Sequence, residues 1–214
     1  MTSAPRGILA IWNDCRPGRE AEFEQWFQSE HLEERVGVPG FLFGRRHEAI
    51  SGSSAFFNFY VTDTPAVLTS KPYLDRLNDP TLMTRRIMSE VFMNMCRTLC
   101  RRAARLTNMR GAFAVTARFN DVPDEVALAT SLRGFANDPA IASGEIWIAE
   151  DQPGAPIAAE EKLRGGDRKI KACLMVDTLR QSDAERLGAV LKGQFPTADL
   201  GVFRVLCQLG HGDL

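Results

Sequence analysis

Glu30 and His31 are the residues of this sequence best suited to chemistry. They follow an apolar stripe made of Phe23, Trp26 and Phe27. Residues three and four apart on a helix share a face, so the pair should point inward with the aromatic side chains. A carboxylate is costly to bury without a partner, and an imidazole exchanges protons near neutral pH. The spacing predicts a catalytic pair at the edge of the core, with His31 as the acid/base and Glu30 assisting it.

Arginines beside this helix could neutralise its carboxylates or hold an anionic substrate. Arg45 and Arg46 are adjacent on the strand that follows, so one should face the helices and the other the barrel interior. The one that faces inward is expected to bind a substrate carboxylate through its planar guanidinium, and the other to be structural. Glu34 could contact the substrate, but an ion pair with Arg35 or with one of these two arginines is the simpler interpretation.

Three residues with polar tips on predicted strands could complete the same cavity: Trp12, Asn58 and Tyr60. Trp12 also suits an apolar core, whereas the buried amide of Asn58 requires hydrogen-bond partners.

The sequence predicts neither a metal site nor a bound cofactor. His47 is the other histidine of the first half, and no spacing of histidines and carboxylates completes a ligand set. Glycine-rich nucleotide loops and a serine-nucleophile motif are also missing. Haem bound through His31 stays open, although no supporting motif accompanies it.

Composition limits the classes of partner. The chain has 26 basic and 27 acidic residues, so it lacks the positive charge that nucleic acids or anionic membranes attract. No apolar run is long enough to span a membrane. Its five cysteines lack CxxC spacing, which favours reduced thiols and a cytoplasmic location. A small anionic substrate is the expected partner.

The order of predicted elements indicates an α+β protein built from a repeat. The segment ILAIWNDCRPGREAEF aligns weakly with FAVTARFNDVPDEVAL, about 105 residues later in a search for internal repeats. Each half, 1–106 and 107–214, reads as a ferredoxin-like β-α-β-β-α-β unit. One face of each sheet needs a cover, so the two sheets should face each other as a pseudo-dimer, within the chain or between two chains of a homodimer.

Residues 151–168 replace what is a short hairpin turn in the first half. A connection of this length is usually a lid, an interaction segment or a disordered insert. All three interpretations remain open.

The segment WFQSEHLEERVGVPGF resembles the dimeric α/β-barrel superfamily, in particular its EthD-like and uncharacterised bacterial members. An aromatic pair is followed by Glu-His, Glu-Arg and then Pro-Gly-Phe at the start of a strand. The resemblance covers about residues 10–73. It implies the barrel fold, but relatives of this fold include muconolactone isomerases, cofactor-free quinone-forming monooxygenases, haem enzymes such as chlorite dismutase, and stress-response barrels.

We therefore expect a cofactor-independent isomerase or lyase that transfers a proton on a small carboxylated aromatic or ring-cleaved catabolite. A cofactor-free monooxygenase or a haem enzyme is the alternative within enzymes. A non-catalytic small-molecule-binding or stress-response barrel is the alternative outside them.

Overall fold

The computed structural model describes residues 5–151 and 157–214. Its strands are β1 (Gly7–Cys15), β2 (Phe41–Ser51), β3 (Phe56–Thr62), β4 (Phe92–Arg105), β5 (Phe113–Phe119), β6 (Ile141–Ala149), β7 (Ala172–Thr178) and β8 (Asp199–Gly210). Its α-helices are α1 (Glu20–Trp26), α2 (Leu32–Val36), α3 (Lys71–Asn78), α4 (Leu82–Glu90), α5 (Glu125–Gly134), α6 (Ala159–Leu163) and α7 (Gln181–Gln194). No helix among the described residues is long and apolar enough to cross a membrane.

The strands form one closed antiparallel barrel in the order β1-β3-β2-β8-β5-β7-β6-β4. The strands of each half are neighbours, and the halves join where β2 pairs with β8 and β4 pairs with β6. The prediction of two separate sheets facing each other is wrong in this respect, because hydrogen bonds join their edges. Closure also occurs within one chain, which leaves no barrel edge unpaired.

Side chains alternate along each strand between the barrel interior and the helices outside. The interior is an apolar core that includes Trp12, Phe57, Phe59, Trp147 and Phe203. The helices of each half cover the outer face of the sheet and bury a further apolar core there. Whether a residue occupies an odd or an even position along its strand therefore decides whether its side chain lies in the barrel interior or under the helices.

The helix that the aromatic stripe and the Glu30–His31 pair predicted is present, but a π-helical turn at Phe27–His31 interrupts it. Such a turn inserts an extra residue and shifts the inward face of everything that follows. As a result, the buried line continues from Phe27 to His31 and then to Arg35. Glu30 and Glu34, which the regular spacing placed on that face, are only partly buried.

His47 belongs to the barrel interior. Its ring packs against those of Phe57 and Phe59, with centroids 4.9 and 5.9 Å away, and Nδ1 donates to the Phe57 carbonyl oxygen at 3.0 Å. Burial, with a smaller effect from Arg45, lowers the pKa of His47 to about 3. This histidine is a neutral core residue in the folded protein.

We predict that His47 contributes to acid sensitivity. Its pKa is about 3 when folded and about 6.5 in an unfolded chain, so the unfolded state binds the extra proton and stability falls as pH drops below 6.5. Denaturant unfolding at neutral and acidic pH should show a smaller acid-induced loss in His47→Phe than in the unsubstituted protein. An identical loss in both would contradict this assignment.

Candidate active site

A small cavity lies between the outer face of the first-half sheet and its helices. It has a volume of about 20 Å³, enough for about one water molecule. Its apolar wall includes Leu9, Ile11, Phe27 and Met88. Its polar and charged lining consists of His31, Arg35, Asn58, Tyr60, Tyr73, Arg97, Glu160 and Arg164.

His31 is buried at this cavity, as predicted. Its ring stacks on Trp26 with centroids 4.1 Å apart, which fixes its orientation. Burial, followed by the nearby positive charges of Arg35 and Arg164, lowers the pKa of His31 well below its usual value. Nδ1 has no hydrogen-bond partner among the described residues. His31 is therefore a neutral imidazole that can accept a proton.

The most deeply buried arginine at this cavity is Arg35, which is 2% exposed. It forms a buried ion pair with Glu160, and Arg164 Nη1 lies 3.6 Å from the other oxygen of the same carboxylate. Glu160 belongs to the short helix α6, in the segment that replaces the hairpin turn of the first half. The second half of the chain thus contributes a charged residue to a site built mainly by the first.

Asn58 and Tyr60 reach the cavity from β3. The Tyr60 hydroxyl and Asn58 Oδ1 are buried without partners among the described residues, while Asn58 Nδ2 donates to Asn13 Oδ1 at 3.1 Å. Burial raises the pKa of Tyr60, so its hydroxyl keeps its proton. Because buried polar groups are normally hydrogen-bonded, unpartnered groups from several elements around one cavity indicate a place for a ligand.

Glu30 is placed differently from the prediction. Its carboxylate accepts hydrogen bonds from the hydroxyls of Thr81 at 2.6 Å and Thr84 at 2.7 Å, and the Trp26 indole donates to Thr84 Oγ1 at 2.9 Å. This network attaches the π-helical turn to α4. Glu30 does not line the cavity, so its contacts are those of a structural carboxylate.

Glu34 makes the ion pair that the sequence predicted, but only loosely. Its Oε1 lies 3.9 Å from Arg35 Nη1, and the main partner of Arg35 is Glu160. Burial raises the pKa of Glu34. Glu34 does not line the cavity either, and it supports Arg35 from the side.

Arg45 and Arg46 face opposite sides of β2, as their adjacency required, yet neither lines the cavity. Arg45 points into the barrel, where it pairs with Asp177 at 3.2 Å and donates to the Gly111 carbonyl oxygen at 2.6 Å. Arg46 lies on the helix side over the rings of Phe23, Phe27 and Phe56, with centroids 5.0, 4.7 and 5.0 Å away. Each is held by structural contacts, whereas the sequence predicted that the inward-facing one would bind substrate.

Trp12 lies in the other compartment. It stacks on Phe57 inside the barrel, with ring centroids 5.0 Å apart. The predicted grouping of Trp12 with Asn58 and Tyr60 is wrong because register places them on opposite faces of paired strands: Trp12 is opposite Phe57, and Ile11 is opposite Asn58. Of the predicted lining, His31, Asn58 and Tyr60 meet at the cavity.

Sequence reasoning missed Tyr73, Arg97, Glu160 and Arg164 as site residues. The only available signal was the unusual length of the 151–168 connection. Residues 152–156 of it lie outside the described part of the chain, so the choice among its three interpretations stays a prediction there. In the described remainder, Glu160 and Arg164 belong to the site.

No family model matches this chain, and no curated protein matches it. The similarity to solved structures is one of fold, a closed antiparallel barrel covered by helices. An anthrone oxidase-like protein matches with a TM-score of 0.68 at 13% identity, over 100% of this chain and 96% of the other. A protein of Fusobacterium nucleatum subsp. nucleatum ATCC 25586, described as a "putative monooxygenase", matches at 0.58 and 9% identity over 98% and 96%. A protein described as a "putative chlorite dismutase" matches at 0.55 and 8% identity over 98% and 97%.

The expectation that the protein has no cofactor is wrong as a statement about the fold. The fold is shared with the protein described as a chlorite dismutase, and that class includes haem enzymes. The residues found here nevertheless do not fit a haem. The His31 cavity holds about one water molecule. A larger neighbouring cavity of about 470 Å³ has no His, Cys, Met or Tyr among the described residues that line it, and these are the usual axial ligands. Nor do the described residues contain a group of three or more His, Cys, Asp and Glu that could hold a metal ion.

We predict that Glu160 matters more for folding than its neighbour Glu161. Glu160→Ala would leave the buried Arg35 without its main partner, which should cost about 3–5 kcal/mol. Glu161→Ala removes only a 3.9 Å contact with a half-exposed Lys169 and should cost about 1 kcal/mol or less. Denaturant unfolding of both variants checks this. Equal losses of stability would show that the Arg35–Glu160 pair is not the stronger constraint.

Proposed function

We propose that this protein is an enzyme that removes a proton from a small aromatic substrate, with His31 as the base. Molecular oxygen then oxidises the resulting anion. In the simplest case, a methylene between two aromatic rings loses a proton to His31, and O2 attacks the carbanion. Loss of water then leaves a ketone. The methylene carbon is oxidised by four electrons, which O2 accepts, and one oxygen atom enters the ketone while the other leaves as water.

The observation that carries this proposal is the neutral, buried imidazole beside cationic groups. An imidazole with a lowered pKa is unprotonated at neutral pH, so its ring nitrogen is free to accept a proton, although the lowered pKa also makes it a weaker base. Arg35 and Arg164, which contribute to lowering it, would favour negative charge on the substrate once the proton has left. The same positive charge opposes protonation of His31 but stabilises the substrate anion, so the transfer is favoured only with the anion formed beside the imidazolium.

Tyr60 and Asn58 would contact the reacting end of the substrate. The cavity at His31 has room for only about one water molecule, so the rings would lie in the adjoining cavity of about 470 Å³, which shares Leu77 and Arg97 with it. The Tyr60 hydroxyl lines the cavity without a partner among the described residues, and its raised pKa keeps it a hydrogen-bond donor. Such a donor could stabilise the oxygen on which the anion's charge collects. The Asn58 amide is anchored on one side by Asn13, which leaves its oxygen to accept a hydrogen bond.

The fold neighbours favour oxygenation over the other reactions that begin with the same proton transfer. They include an anthrone oxidase-like protein and a protein described as a monooxygenase. An isomerase or lyase acting on a carboxylated catabolite would need the same base and the same cations. Consumption of oxygen separates these reactions.

We also infer that each half of the chain, divided near residue 106, is a ferredoxin-like unit and that the first carries the chemistry. The strand order within each half, β4-β1-β3-β2 and β8-β5-β7-β6, supports this division. The second half has no counterpart of His31 on α5, whose sequence is EVALATSLRG. Its contribution would be α6 and Glu160.

We predict that His31→Ala lowers turnover by about 10²-fold or more while the fold is retained, because the general base is lost. The assay is oxygen uptake with anthrone as the probe, after subtraction of the uncatalysed rate. Glu33→Ala is the matched control, since Glu33 lies on the exposed side of the same helix, and its rate should be unchanged.

Full activity of His31→Ala would show that His31 is not the base. Turnover of a probe without oxygen uptake would show that the reaction is an isomerisation or a lyase reaction and not an oxygenation. Binding of aromatic probes with no turnover of any would indicate a ligand-binding protein.

We predict an unusual pH profile for this reaction. Because burial lowers the pKa of His31 well below 6.5, the imidazole stays neutral as pH falls through the range where histidines ordinarily titrate. With a probe that does not ionise between about pH 5 and 8, kcat/KM should stay level as pH falls through 6.5. It should decline only at lower pH, where His31 becomes protonated. A decline with an apparent pKa near 6.5 would show that the base is a solvated histidine.

A further inference from the structure

A second and much larger cavity adjoins the His31 cavity. Its volume is about 470 Å³, within the range of sites that hold small molecules. Leu68, Leu74, Leu77 and Leu99 form an apolar wall, contributed by the first half of the chain. Leu77 and Arg97 line both cavities, so a molecule in the larger one would lie beside the proposed catalytic site.

The charged groups around the larger cavity are paired with one another, with one exception. Glu161 lies 3.9 Å from Lys169, Asp151 lies 3.7 Å from Lys171, and Glu150 lies 3.5 Å from Arg101. These ion pairs are at least partly exposed, and within each pair the charges at the edge of the cavity cancel.

Arg97 is the exception. Its side chain is buried, with the residue 8% exposed, and it forms no ion pair within 4.0 Å among the described residues. Its Nη2 donates to the Tyr73 hydroxyl at 2.7 Å, and a guanidinium has five N–H donors in all. Buried charges in proteins are normally paired. An unpaired guanidinium that lines a cavity of this size therefore has donors to offer an anion.

We propose that this cavity binds an apolar aromatic molecule with a single carboxylate, which Arg97 holds while the rings pack on the leucine wall. The inference rests on the proposed function in one respect, because it assigns this carboxylate class to the substrate of the His31 site. One unpaired cation matches one negative charge. A polyanion such as a nucleotide would bring additional charge close to Glu150, Asp151 and Glu161, which disfavours it.

Binding can be measured without turnover, by titration calorimetry with 2-naphthoate and with its uncharged analogue 2-naphthamide. The carboxylate should bind at least about tenfold more tightly, as expected for a hydrogen-bonded charge pair. Arg97→Gln should abolish this preference. Arg97→Lys, which keeps the charge but loses the planar fork, should retain part of it. Lys192→Gln is the matched control and should change the affinity for 2-naphthoate little, since Lys192 lies on α7, is exposed and does not line this cavity.

A cavity-filling variant tests the apolar wall independently, in case Arg97 substitutions impair folding. Leu74→Trp keeps Arg97 and should weaken both ligands together, because the ring would occupy the space that they need. The proposal is overturned if 2-naphthoate fails to bind or if both ligands bind equally. It is also overturned if both Arg97→Gln and Leu74→Trp fold and neither changes the affinity for 2-naphthoate. If 2-naphthoate does not bind but the protein still oxidises anthrone in a reaction that requires His31, only the proposed binding site is rejected. If 2-naphthoate binds as expected but anthrone is not turned over, only the proposed reaction is rejected.

Discussion

Closure of the barrel is the constraint on which the remaining arrangement depends. Once β2 pairs with β8 and β4 with β6, each strand residue faces either the sealed interior or the helices. The interior is filled by aromatic side chains and by a neutral His47. The His31 cavity lies on the outer face, and its larger neighbour shares Leu77 and Arg97 with it.

The second physical feature is the number of arginines buried around that outer site. Arg35 has Glu160, while Arg97 has a tyrosine hydroxyl and, among the described residues, no carboxylate within 4.0 Å. Burial, followed by the charges of Arg35, Arg164 and Arg46, favours a neutral His31, and Arg97 would favour an anionic ligand. Glu160 supplies one negative charge from the other half of the chain. The proposed base, the proposed anion site and the docking of α6 on the first half are thus consequences of one local charge balance.

The sequence predicted much of the fold from local patterns. The helix that carries Phe23 to His31, the strand that begins at Pro-Gly-Phe, and the α+β order of elements were all predicted, and each is present in the structure. His31 was also found from sequence, because it continues an aromatic stripe into a polar position. That signal survived because His31 stays four residues after Phe27 and both are buried.

The tertiary structure alone decided the remaining members of the site. The π-helical turn moved the inward face from Glu34 to Arg35, a shift that a regular spacing does not anticipate. Strand register placed Trp12 and Asn58 on opposite faces of the sheet. Which residues of two strands share a face is fixed by their pairing and not by their residue types. Glu160 reached Arg35 across 125 positions of sequence, and such a contact exists only after both halves have closed into one barrel. Local residue patterns determined the elements and His31, whereas long-range pairing determined which charges meet it.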